Sequence, residues 1–256
     1  MAEAGAVDAL HADLLRAGEN AAQIRDVLSR HSPGETELLA LLRRALPVRF
    51  LELVGTTPPW SERPHVLGRL VHNPNTPRTL CLRLIVSLFW RDLAEVAANP
   101  QVAGAVRVRA EARLQEMLPD MRLGDRITLA KIATPPVLRP LLEDTASKVS
   151  AACLINGRLR EEDLLVALRK DAVPPALIGA VAESPRWKEH YGVRLALALQ
   201  PRTPLPLALL QISSLLPRDL LRVARAPGLK PLLQAAALRV AEESPPGGRT
   251  LKGSAT

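Results

Sequence analysis

Residues 58–77, PPWSERPHVLGRLVHNPNTP, return at residues 185–204 as PRWKEHYGVRLALALQPRTP. The correspondence runs outward from there without a gap: residues 35–116 align with residues 162–243 at a constant offset of 127, and 28 of the 82 aligned positions are identical. Pro58, Trp60 and Glu62 fall on Pro185, Trp187 and Glu189. Pro74, Thr76 and Pro77 fall on Pro201, Thr203 and Pro204, and Arg91-Asp92-Leu93 falls on Arg218-Asp219-Leu220. Self-similarity of this extent at a fixed offset marks a tandem duplication and predicts a repeat architecture.

Proline sets the grain of each copy. In the first copy a helix is expected over Glu35–Ala45, ended by Pro47, and a shorter one over Val48–Gly55. A third should run from Pro58 to the Asn73-Pro74 break, with Thr57 as N-cap, and Ser184 should do the same in the second copy. Thr76-Pro77 repeats that start. The helix it opens is apolar almost all round (Leu80, Leu82, Leu84, Ile85, Leu88, Phe89) and so belongs inside the stack. A helix from Asp92 to about Ala98 ends at Asn99-Pro100, and the last spans Gly104–Met117. Six short helices per copy, joined by short turns, describe helix pairs stacked side by side.

Outside the copies, residues 7–17 and 19–31 read as two amphipathic helices broken at Gly18, so residues 1–34 form an N-terminal cap. Residues 117–161 read as further helices, starting at Gly124-Asp125, Val137 and Ala146, with Asn156-Gly157 closing the last. Acidic residues at expected helix starts (Asp92, Asp125, Asp163, Asp219) hint at a finer repeat beneath the larger one. The expectation is an all-α chain: one α-solenoid domain over residues 1–243, built from the duplicated segments 35–116 and 162–243, with a disordered tail at 244–256.

Composition agrees. Only 2% of residues are aromatic, so the core must be built from Leu, Ala, Val and Ile, and β-branched and aromatic runs that favour strands are scarce. The opening residues carry Glu3, Asp8 and Asp13 rather than a basic segment before an apolar run, and the most apolar stretch, Leu205–Pro217, is too short to span a bilayer. The expected location is cytoplasmic, without membrane contact, where Cys81 and Cys153 would stay reduced. The net charge of +8 is spread along the chain, from −2 in residues 1–34 to +3 in each copy. It favours polyanions in general without marking a site.

The pattern resembles that of bacterial HEAT-like and leucine-rich-repeat-variant α-solenoids, in which short helix pairs with a Pro-centred break stack into a rod. The residues that carry the resemblance are Asn73-Pro-Asn-Thr-Pro77 and Ala98-Asn-Pro100, with Val106-Arg-Val-Arg-Ala110. It implies a scaffold that binds proteins or, in some relatives, DNA. The cysteine cluster that holds an iron–sulfur centre in some leucine-rich-repeat variants has no counterpart here, so no cofactor and no metal is expected.

No phosphate-binding glycine loop, nucleophile elbow or metal-ligand spacing occurs, and the five histidines are scattered. The chain therefore reads as a non-enzyme, a helical-repeat scaffold for a protein partner, with sequence-independent DNA or RNA binding by arginines as the alternative. Two groups are candidate partner-binding residues. Trp187, Tyr191 and Arg194 stand at helical spacing and could form an aromatic and cationic platform; otherwise Trp60 and Trp187 each pack the same joint between helices. Arg107, Arg109 and Arg113 are the second group. The second copy has Gln234, Ala236 and Val240 at their places, so the repeat fold does not demand them. They suit phosphate or an acidic partner, unless Glu111 and Glu116 leave them a solvated, neutral face.

Overall fold

The computed structural model describes residues 2–243; the tail expectation for 244–256 lies outside the described residues. Among the described residues there are seventeen α-helices and no strand. The chain divides into two compact units, Met1–Met121 and Arg122–Thr256.

The first unit contains α1 (Ala2–Ala17), α2 (Ala21–His31), α3 (Glu35–Leu41), α4 (Val48–Thr56), α5 (Pro64–His72), α6 (Arg78–Leu84), α7 (Trp90–Ala98) and α8 (Gly104–Met117). Each helix packs on the one two places along, so α1, α3, α5 and α7 form one layer and α2, α4, α6 and α8 the other. The layers bury Leu14, Ile24, Leu38, Phe50, Leu70 and Leu93 between them.

The second unit contains α9 (Leu123–Ile132), α10 (Pro135–Leu141), α11 (Ser147–Leu154), α12 (Glu161–Leu168), α13 (Pro175–Glu183), α14 (Tyr191–Leu199), α15 (Leu205–Ile212), α16 (Pro217–Arg225) and α17 (Pro231–Glu243). Here α10, α12, α14 and α16 follow one another in one layer, while α9, α11 and α13, and then α15 with α17, pack in the other. Its C-terminal core is made of Ile212, Leu215, Leu220, Val223, Leu229 and Leu233. Alternate-helix packing of this kind is the physical content of a helix-pair stack.

The duplication extends to the element boundaries. Adding 127 to α4, α5 and α7 gives the bounds of α13, α14 and α16, and α3, α6 and α8 match α12, α15 and α17 to within a residue at each end. Asp92, Asp125, Asp163 and Asp219 all stand in the first turn of a helix, where a carboxylate meets the positive end of the dipole.

Helices this short have a large share of unpaired terminal carbonyls. A side-chain amide placed just after a helix satisfies them at the end of the same-layer neighbour. Asn73, after α5, donates its Nδ2 to Leu42 O and Arg44 O, both at 2.8 Å, just beyond α3. Asn156, after α11, donates to Ala130 O (2.8 Å) and Ala133 O (3.1 Å) at the end of α9. Gln200, after α14, donates to Leu168 O (2.6 Å) and Lys170 O (3.0 Å) at the end of α12. All three are buried, and in each the amide oxygen accepts the backbone N–H two residues on, which closes the turn. Asn99, after α7, is placed alike but meets the imidazole Nδ1 of His72, the last residue of α5, at 3.1 Å.

Several local expectations are corrected. Thr57 and Ser184 do not cap following helices; they close α4 and α13, and α5 and α14 start only at Pro64 and Tyr191. The intervening residues are a 3-10 turn at Trp60–Glu62 after a cis Pro58-Pro59 bond, and tight turns over Pro185–Glu189. Thr76 does not cap α6 either: Pro77, with an extended ψ of 134°, is the N-cap, and the Thr76 hydroxyl donates backward to Leu70 O at 2.6 Å. The helix expected to be apolar all round stops at Leu84, and Phe89 is 56% exposed.

Candidate functional site

The sequence-derived candidates occupy two places, one in each unit. Arg107, Arg109 and Arg113 lie on α8, all half-buried. Arg109 and Arg113 donate to the two oxygens of one carboxylate, Glu116, at 3.1 and 3.0 Å. The hydrogen bond from Arg113, supported by Arg109, holds the Glu116 carboxyl below the usual carboxylate range. Two of the three guanidiniums are thus already engaged, and the row is a local ion-pair fork rather than an open cationic strip.

Trp187, Tyr191 and Arg194 do not share one helical face, because α14 begins only at Tyr191. Trp187 is 2% exposed, and its Nε1 donates to Leu154 O at 2.9 Å, tying the turn after α13 to the end of α11. Arg186 covers its ring at 4.4 Å and itself donates to Asn156 O and Leu159 O. The Trp187 ring is thus not available for a partner to stack on. Trp60 is half-buried under Arg63, 5.3 Å from its centroid, so the two tryptophans do not pack equivalent joints. The Tyr191 hydroxyl donates to Asp219 and accepts Leu216 N–H, and burial pushes the phenol above its ordinary pKa. Arg194 donates to Lys188 O at 2.9 Å and to Glu189.

One opening with a distinct chemistry was not singled out in the sequence. A groove of about 640 Å³ runs along the second unit where α12, α14 and α16 end. Its charged walls are Arg169, at the C-cap of α12, and Arg222 and Arg225 in the last turn of α16. Its floor includes Leu195 and Leu199 of α14, both packed on the C-terminal core. Asp171 is the one carboxylate of the lining. Among the described residues, no ion pair engages Arg169, Arg222 or Arg225.

Arginines near helix ends complement the dipole, and that alone would explain them if the repeat required it. The first copy shows that it does not. At the same offset, Arg169, Arg222 and Arg225 are replaced by Leu42, Glu95 and Ala98, and Leu195 and Leu199 by Gly68 and His72. The corresponding positions there carry Glu95, His65 and His72, with Arg44 and Arg69 where the groove has Asp171 and Ala196. Burial holds His72 below its ordinary pKa although Glu95 lies 3.9 Å away, and its buried Nε2 has no hydrogen-bond partner among the described residues. Asp92 is pushed up by burial and then by Glu95.

Cys81 and Cys153 are both free and buried, with thiols pushed up by desolvation to about 11 and about 12. Such thiols are inert packing groups at neutral pH. Among the described residues no group of three or more His, Cys, Asp or Glu could hold a metal ion, and no helix is long and apolar enough to cross a membrane. Comparison with protein-family profiles, curated proteins and solved structures finds no match to this chain.

Proposed function

We propose that the chain is a non-enzymatic, HEAT-like helical-repeat scaffold that binds another protein, working in a reducing compartment such as the cytoplasm. The observation that carries the reading is the groove across α12, α14 and α16, an apolar bed between arginines engaged by no carboxylate among the described residues. Three consecutive helices of one layer form it, so it is preorganised, and a partner loses little affinity to ordering this side of the interface. Sequence-independent binding of DNA or RNA is the competing reading. It is weakened because Arg109, Arg113 and Arg194 already pair with carboxylates and because the buried Trp187 offers no stacking platform.

The test is affinity capture with the full chain from cells of its own source, before and after nuclease digestion. A protein retained in stoichiometric amount after digestion supports the scaffold reading. Retention of nucleic acid, with all co-retained proteins lost on digestion, overturns it.

A further inference from the structure

We infer that the groove of the second unit takes an extended acidic segment of a partner protein, its carboxylates on Arg169, Arg222 and Arg225 and its apolar side chains on Leu195 and Leu199. This rests on the scaffold reading and specifies the chemistry of what is bound.

The duplication provides the control. Both copies build the same helices at the same offset, so residues that the stack needs should recur, and many buried ones do: Val66 and Val193, Leu70 and Leu197, Val96 and Val223. Leu168, Pro201 and Pro227 of the groove recur as Leu41, Pro74 and Pro100, but its arginines and its two α14 leucines do not. Three arginines and two leucines of the second copy stand where the first has Leu42, Glu95, Ala98, Gly68 and His72. Packing and helix capping are therefore met without these side chains, and their chemistry is free to serve a ligand.

That chemistry selects the occupant. Planar guanidiniums match carboxylates in a two-pronged geometry, and the three have only Asp171 to offset them in the lining. The Gln200 amide at the groove's edge is fully used, donating to Leu168 O and Lys170 O and accepting from Arg202 N–H, so polar recognition falls to the arginines. The floor is leucine, alanine and proline with no aromatic ring, which suits aliphatic side chains and gives unstacked bases no platform. The residues beyond 243 carry Arg249 and Lys252 and no Asp or Glu, so by charge they do not suit this site themselves.

The test uses the full chain and a variant, Arg169→Leu/Arg222→Glu/Arg225→Ala, that writes the first copy's residues into the second. Far-UV circular dichroism and urea midpoint verify that it folds as the wild type does. Fluorescence anisotropy then follows three labelled probes: a peptide of repeated Asp-Glu-Leu, the same peptide with Ser for Leu, and an oligo-dT of matched charge. The expected result is binding of the Asp-Glu-Leu peptide that weakens with salt, drops at least about tenfold in the folded variant, and drops about threefold or more when Leu becomes Ser. Equal binding by the variant, or tighter binding of oligo-dT that the variant loses, overturns the inference. If the peptide fails while the nuclease-resistant partner is still captured, the groove assignment falls and the scaffold reading stands.

Discussion

The side chains that hold this molecule together most specifically are amides rather than leucines. Asn156 is 2% exposed and uses both donors of its Nδ2 on Ala130 O and Ala133 O. A leucine in the core can be traded for another apolar residue at modest cost, but no apolar residue can satisfy two buried carbonyls. Asn156→Ala is expected to lower stability by about 2–4 kcal/mol, read as the shift in urea midpoint at unchanged slope. Asn156→Gln should recover part of the loss, because Gln200 performs the same task in the second copy with one more methylene. A loss below about 0.5 kcal/mol for the alanine variant would mean that water replaces the amide at no cost. Trp187 belongs with these residues: its indole N–H does for Leu154 O what Asn156 does for Ala130 O.

Elements as short as seven to nine residues are marginal alone, and their ends are where neighbours support them. The clearest case is α4, whose N-cap Pro47 offers no side-chain hydrogen bond. Glu19, from the turn between α1 and α2, accepts Val48 N–H at 2.9 Å and Arg49 N–H at 2.7 Å, one with each carboxylate oxygen. A carboxylate there satisfies two orphan donors and meets the positive end of the dipole, so Glu19→Ala should cost about 1–2 kcal/mol, more than Glu19→Gln, by chemical denaturation at neutral pH. At this scale most of the fold was legible in the sequence. The offset of 127 and the Pro and Asn breaks located all six helices of each copy, because chain-breaking residues act locally. The starts of α5, α6 and α14 were misplaced for an equally physical reason. A Thr-Pro or Ser-Pro pair looks like a cap, but Thr57 and Ser184 end the helix before them, and the Thr76 hydroxyl turns back to Leu70 O. The groove was harder to foresee, since it depends on α12, α14 and α16 lying side by side across intervening helices. The missed signal was the difference between the copies at positions 42, 95 and 98, which the alignment already held.

For the whole molecule the question is what a net charge of +8 does when many arginines already have a carboxylate. Arg109 and Arg113 hold Glu116, Arg63 holds Glu35, Arg139 holds Asp163 and Arg194 holds Glu189, so the number of cationic side chains, rather than the net charge, overstates what a polyanion meets. The α8 fork makes the point testable. Glu116 titrates below its unfolded value of 4.5, so its contribution is present above that pH and is lost as pH falls through the lower folded value. At neutral pH the fork is therefore intact, and Arg107/Arg109/Arg113→Ala should lower low-salt affinity for a labelled DNA duplex by less than about threefold, since two of the three guanidiniums are already engaged by Glu116. Glu116→Gln should do more, because it frees two guanidiniums at once, and is expected to raise that affinity by about threefold to tenfold with a steeper dependence on salt. Anisotropy titrations at several salt concentrations decide it. If the triple alanine variant instead loses tenfold or more, the fork opens to phosphate at little cost, and α8 becomes a polyanion-binding surface in its own right.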